Sequence, residues 1–292
     1  MKTAHFTKLL APLFGLALLA GCDKPAEPGK SAAATSAPST SYLETIKARD
    51  KLIVGVFTDK PPFGFVDESG RYVGFDTDIG RRFAKDLLGD ENKVEFVAVE
   101  PASRIPFLQS DKVDLILANM TVTPERKEAV DFTNPNLRVA VQAIVADGSP
   151  VKALDDLADK TIIVTTGTTA DIWLTKNHPD WKLLKFEKNS ESLQALANGR
   201  GDAYAQDNLI LFSWAKQNPG YRVLPELLGD EAPIAPAVKK GNTELRDWVN
   251  AELAKLGEEK FLLKLYDQYV RKELSDDTKP ESVIVEGGKW QG

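Results

Sequence analysis

Thr161-Ile162-Ile163-Val164 is a short apolar run that reads as a buried strand, and it opens the second of two strand–helix series in this chain. The first series starts at the strand Leu52-Ile53-Val54-Gly55-Val56. It continues through a helix over Asp76 to Leu88, with Ile79, Phe83, Leu87 and Leu88 on one side, and a strand over Val94 to Val99. A short helix over Ser103 to Gln109 and a strand over Val113 to Leu117 complete it. After Thr161–Val164 come a helix over Ala170 to Lys176, a strand over Leu183 to Phe186, a helix over Ser190 to Asn198 and a strand over Asp202 to Ala205. Alternation at this spacing predicts parallel sheets covered by helices on both faces, and two series predict two α/β lobes. The extended run Val139 to Val145 is expected to link them, with the chain returning near Pro233 to Val238. Helices around Glu244 to Leu256 and Glu258 to Val270 then pack back on the first lobe, while residues 276–292 carry few apolar anchors and are expected to be loosely held.

The amino terminus reads as an export signal. Lys2 and Lys8 give a positive start, and Leu9 to Ala20 is an apolar run too short for a bilayer span, which needs about 20 residues. Leu19-Ala20-Gly21-Cys22 resembles a bacterial lipoprotein signal, which implies cleavage before Cys22 and acylation of its thiol. Two acyl chains anchor a protein stably where one does not. The resemblance therefore implies a membrane-anchored, extracytoplasmic protein, and Asp23 favours retention at the inner membrane. Residues 23–41 are rich in Ala, Ser, Pro and Thr and lack large apolar side chains, so they read as a flexible tether with a reach of about 25 Å. The expected organisation is signal 1–21, lipidated Cys22 and tether 22–42, first lobe 43–138 plus 238–292, and second lobe 139–237.

Composition excludes several function classes. Cys22 is the only cysteine, and loss of His5 with the signal leaves His178 as the one histidine. Cysteine–histidine catalysis, zinc clusters and disulfides are ruled out by residue count. His178, in a polar stretch before Pro179, reads as a loop residue. The chain has 43 acidic against 37 basic side chains, for a formal charge of −6, without a basic stripe, which argues against nucleic acid. No phosphate-binding glycine motif of the dinucleotide or P-loop type is present; Gly167-Thr168-Thr169 is the nearest and lacks the lysine.

The residues that carry chemistry follow the last strand of the first series. Asn119-Met120-Thr121-Val122-Thr123-Pro124-Glu125-Arg126-Lys127 lies at the carboxyl edge of a sheet, where open α/β sheets bind ligands. Thr123 is a good N-cap for a helix beginning at Pro124, so Arg126 projects from its first turn. This stretch, with Val130-Asp131-Phe132-Thr133, resembles the amino-acid-binding proteins of polar amino-acid ABC importers, solute-binding family 3. That family implies the two-lobed periplasmic-binding-protein fold of type II, each lobe a mostly parallel α/β sheet flanked by helices, joined by a two-strand hinge. It implies that Thr121 and Arg126 hold the ligand's α-carboxylate and that the backbone at Asn119 helps receive its ammonium group.

Further matches cover nearly the whole mature chain. Val56 to Phe65 and Gly74-Phe75-Asp76 resemble the family's first strand and loop, which implies Phe57 and Phe63 as pocket walls, with Phe65 and Phe75 in the core. Several members direct an arginine at the position of Arg104 into the cleft. Thr166-Gly167-Thr168-Thr169-Ala170 precedes a helix whose free N–H groups favour a carboxylate, implicating Thr168 and Thr169. Asp207 matches the family acid that pairs with the ammonium, and it could also cap the following helix. Pro135 is followed by Asn136 where members often have tyrosine, a departure at the pocket wall near the hinge.

Longer stretches, among them Ala84 to Phe96, Gly199 to Asn208 and Ile234 to Gly241, resemble the cysteine-binding lipoprotein subgroup. The expected function is capture of a free amino acid, cysteine first, and its delivery to permease subunits, with no cofactor and no catalysis. Cystine and aspartate or glutamate are the alternatives; an acidic ligand would want a second cation, for which Arg104 is a candidate. The same fold also hosts cyclohexadienyl dehydratase, whose chemistry needs a general acid in the cleft. A sensing module or surface adhesin is a third alternative.

Overall fold

The computed structural model describes residues 41–290. The signal, Cys22 and the tether as far as residue 40 lie outside the described residues. The first element is a helix absent from the sequence reading, α1 (Tyr42–Arg49), whose N-cap Ser41 accepts from the Glu44 N–H. The Tyr42 N–H donates to Glu244 at 2.8 Å. Residues 41 and 42, expected to end the tether, thus belong to the folded body.

After β1 (Leu52–Val56) the chain makes a small antiparallel sheet of β2 (Asp59–Lys60), β3 (Gly64–Val66) and β4 (Tyr72–Val73). It continues through α2 (Phe75–Leu88), β5 (Val94–Ala98), α3 (Arg104–Gln109), β6 (Leu115–Ile116), α4 (Pro124–Ala129), β7 (Val130–Phe132) and β8 (Leu137–Val139). In the first lobe β1 runs parallel to β5 and β6, and the sheet order is β5-β1-β6, then one antiparallel strand from later in the chain, then β7. Leu52, Val54 and Val56 pack with α2 residues Ile79 and Phe83 on one face, while Ile53 and Ile116 pack with Leu108 on the other. This is the period-two alternation of a sheet covered on both sides.

The second lobe contains β9 (Val141–Ala146), β10 (Thr161–Thr165), α5 (Thr169–Asn177), β11 (Lys182–Phe186), α6 (Asn189–Ala197), β12 (Ala203–Asp207), α7 (Asn208–Gln217) and β13 (Tyr221–Val223). Its order is β11-β10-β12-β9-β13, parallel across the first three and antiparallel at β9 and β13. Ile162 and Val164 face one core and Ile163 the other. The run expected to link the lobes divides at Ala140 into β8 and β9. β8 pairs with β14 (Ala232–Ile234) as a two-stranded ribbon, Val139 opposite Ala232 and Leu137 opposite Ile234. β15 (Ala237–Lys239) then re-enters the first sheet between β6 and β7, and α8 (Thr243–Glu258) and α9 (Phe261–Leu265) pack on that lobe.

The carboxyl-terminal segment corrects an expectation. Val283, Ile284 and Val285 are buried in the first-lobe core, and Ile284 bridges Leu137 of the β8 ribbon. The Val285 N–H donates to Asn136 O at 2.9 Å. Gly257 of α8 lies against Gly287 so closely that a Cβ on Gly257 would come within 2.4 Å of the Gly287 Cα. Three consecutive apolar residues are too short a run to register as an anchor in sequence, yet each contributes about 1.5–3 kcal/mol when buried. Ile284→Ala is expected to lower unfolding stability by about 2–5 kcal/mol. A urea midpoint unmoved by that change would show that the segment is held loosely after all.

Candidate functional site

The parallel strands β1, β5, β6, β10 and β12 deliver polar or aromatic residues from their carboxyl ends to one small cavity between the lobes. Phe57 and Lys60 follow β1, Pro101 and Arg104 follow β5, and Asn119 and Thr121 follow β6. From the second lobe, Thr168 and Thr169 follow β10, and Gln206 and Asp207 end β12. The cavity they line is only about 10 Å³. That is about the least space that holds a single water, so the two lobes lie closed on this polar lining.

Arg126 is placed by local rules. Thr123 accepts from the Arg126 N–H and Pro124 is the first residue of α4, so the guanidinium leaves the first turn. It donates to Thr121 O at 2.8 Å and, across the cleft, to Gly167 O at 3.0 Å. Arg104 donates to Pro101 O at 3.0 Å, Ala118 O at 2.9 Å and Asn119 O at 3.1 Å, and more weakly to Gly167 O. The carbonyl of Gly167 therefore faces two guanidinium groups from the opposite lobe. Burial pushes the Arg126 guanidinium down to about 10, opposed by Asp207 and Glu125. Burial, then the Arg126 charge, pushes Arg104 down as well, with Asp207 opposing. Crowded guanidinium groups with unused donors are ready to receive an anion.

Asp207 precedes α7 without capping it through its side chain. Its carboxylate instead meets Lys60 Nζ at 3.0 Å, both groups being buried. The acid is positioned from behind: Gln206 Oε1 accepts the Asp207 N–H, and Gln206 Nε2 donates to Asn189 Oδ1 at 2.8 Å and Tyr204 OH at 3.0 Å. Thr165 joins this network through Tyr204 and Ser192. Thr168 caps α5 by accepting from the Asp171 N–H.

Two cross-lobe contacts surround the cavity. Asp59, beside Lys60 in β2, accepts the Ser190 N–H at 2.9 Å and so caps α6 from the other lobe; the N-cap residue Lys188 supplies no side-chain bond. Gly167, at φ +77°, lies against Ala102 so closely that a Cβ would come within 2.8 Å of the Ala102 Cα. Only glycine combines that left-handed conformation with so close an approach.

Of the residues expected in the site, Phe57, Arg104, Asn119, Thr121, Thr168, Thr169 and Asp207 line the cavity. Arg126 stands behind Thr121, with its guanidinium reaching Gly167. Phe63 does not line it: the ring is fully buried and packs edge-on against Phe75, centroids 6.2 Å apart, in the first-lobe core. Asn136 also belongs to the scaffold, with its N–H bonded to Ile234 O and its own carbonyl holding Val285. His178 is half-buried between Trp173 and Trp181, stacked on the latter at 3.8 Å.

Besides Pro101 and Gln206 on the cavity wall, two charged residues were missed. Lys60, before a pair of prolines, reads in sequence as a solvated loop lysine; nothing local marks it as buried. Asp76 reads as a first-turn acid of α2, but it is buried and accepts the Asn119 N–H at 3.3 Å. Burial pushes it up to about 7, opposed by that N–H and by Lys60. Asn119 itself has φ +44°, and neither its Oδ1 nor its Nδ2 has a partner among the described residues. The arrangement thus offers donors for a carboxylate, an acid for a cation and an unsatisfied amide, all within one enclosed space.

Comparison with known proteins gives consistent results. The description "Bacterial extracellular solute-binding proteins, family 3" matches residues 52–272. A cysteine-binding protein from Campylobacter jejuni superposes with a TM-score of 0.83 at 46% identity, covering 84% of this chain and 99% of its own. A solute receptor for L-cysteine from Neisseria gonorrhoeae does so with a TM-score of 0.81, also at 46% identity and with coverage of 84% and 99%. A glutamine-binding protein of an ABC transporter from Bacillus subtilis (strain 168) is 35% identical over 92% of this chain and 97% of its own.

Proposed function

Since the chain belongs to family 3 of the bacterial extracellular solute-binding proteins, we propose that it is the extracytoplasmic receptor of an ABC importer for a free amino acid, and that this amino acid is cysteine. The observation that carries the reading is the placement of the Arg126 guanidinium, behind Thr121 and reaching Gly167, from one lobe and of Asp207 on the cavity wall from the other. A zwitterion brings an anion for the first and a cation for the second. Only a molecule with both charges completes both sets, so its binding favours the closed arrangement. Phe57, Arg104, Asn119, Thr121, Thr168 and Thr169, with Lys60 added, form the remaining wall.

Cysteine is favoured over glutamine by likeness: the solved structures at 46% identity are of cysteine receptors, whereas two glutamine-binding relatives are 35% and 39% identical. The reading includes acylation at Cys22, anchoring on the outer side of the cell membrane, handover to permease subunits, and lobes at 43–138 with 238–292 and at 139–237.

A relative described as an ancestral amino-acid-binding protein and precursor of cyclohexadienyl dehydratase is 35% identical, with a TM-score of 0.73 over 79% of this chain and all of its own. Dehydration would need a protonated acid at the cavity. Asp76 lies behind Asn119, and Glu100, which burial pushes up to about 7, is not among the lining residues. Receptor function is therefore the better reading. Native mass spectrometry of the purified protein followed by calorimetry with cysteine, cystine, aspartate, glutamate and glutamine tests it. One-to-one binding strongest for cysteine and without product is expected; failure of every amino acid to bind would remove the receptor reading.

A further inference from the structure

The charges around the cavity do not balance for a neutral zwitterion. Lys60 from β2 and Arg104 from α3 line the cavity, and Arg126 from α4 stands behind Thr121, all three buried. Facing them are Asp207 from β12 and, behind Asn119, Asp76 from α2. Neither Asp59, engaged with the Ser190 N–H, nor Glu100 is among the lining residues, and Asp171 pairs outward with Lys185 while holding the Gly167 N–H. A zwitterion adds one charge of each sign and leaves the cationic excess in place. Burying such an excess uncompensated is costly, so the cavity favours a ligand with a second negative charge.

The same corner supplies partners for that charge. Lys60 Nζ and the Arg104 guanidinium both lie over the Phe57 ring, 5.3 and 5.5 Å from its centroid. The Asn119 amide, buried and unpartnered among the described residues, lines the same wall. An ammonium group has three donors, of which Asp207 engages one.

Resting on the cysteine-receptor reading, we propose that Lys60 is a specificity-determining residue that takes the ligand's side chain as an anion, so that cysteine is held as the thiolate. The S–H bond breaks heterolytically, the electron pair stays on sulfur, and the proton leaves to solvent. No oxidant or reductant is involved. Neighbouring cations are the usual means by which a thiol is deprotonated at neutral pH. Serine, alike in size but without an acidic side chain, would leave the excess uncompensated and bind more weakly.

Calorimetry under reducing conditions, in buffers of different ionisation enthalpy at pH 7, counts the protons. A free thiol titrates near pH 8.5, so cysteine should release about one proton more than serine does. Asp76, near its own midpoint, affects both ligands and drops out of the difference. Because the bound side chain is deprotonated and the free one is not, the affinity ratio of cysteine to serine should rise about tenfold per pH unit from pH 6 to pH 8. Lys60→Met should abolish the proton difference and weaken cysteine more than serine, while Lys60→Arg should preserve both. Equal proton counts and a ratio independent of pH would overturn the thiolate while leaving the cysteine receptor standing. Absence of cysteine binding altogether would remove both readings.

Discussion

Arg126→Ala is expected to weaken amino-acid binding by about two to four orders of magnitude. Removing one member of a buried, hydrogen-bonded charge pair costs about 3–5 kcal/mol, and each 1.4 kcal/mol is about tenfold in affinity. The guanidinium spans from Thr121 in one lobe to Gly167 in the other, whereas Arg104 reaches Gly167 only weakly because its other donors hold Pro101, Ala118 and Asn119. Arg126→Lys keeps a point charge without the planar fork and should fall between. Calorimetric titration of both variants, with a urea unfolding curve as a control for folding, gives the measurement. Wild-type affinity in Arg126→Ala would take this residue out of the site.

Asp207→Asn is expected to have the second-largest effect, a loss of at least about a hundredfold in affinity. The change removes the counter-charge for the ligand's ammonium and leaves Lys60 buried without its partner at 3.0 Å. Lys60 and Asp207 come from different lobes, so opening the cleft returns both to water. The unfolding midpoint of the ligand-free protein should therefore move far less than the binding constant. A matched fall in both would mean that the pair serves folding rather than capture.

The contrast between these residues shows what a sequence can disclose. Arg126 was legible because Thr123, Pro124 and the strand before them obey local rules: a cap, a proline at the first helical position and a sheet edge. Asp207 was legible by resemblance, although its alternative role as a helix cap was settled only by the direction of its side chain. Lys60 and Asp76 were not legible, because their burial comes from long-range pairing with Asp207 and with the backbone of Asn119. No spacing rule joins residues so distant in the chain. Phe63 failed differently, since the aromatics of its loop divide between cavity and core, and only the packing of Phe63 on Phe75 decides which goes where. The strand–helix alternation, by contrast, carried through to the two sheets with boundaries shifted by a residue or two, because helix and strand periods are local properties.

The cap that Asp59 provides to α6 links the appetite of this protein to a place outside its pocket. When the lobes part, the first turn of α6 loses that acceptor, so some of the free energy favouring the shut form exists before any solute arrives. Apparent affinity is the intrinsic affinity scaled by the fraction of molecules already competent to bind. The concentration at which the importer begins to scavenge can therefore be tuned at Asp59, with the choice of nutrient left untouched.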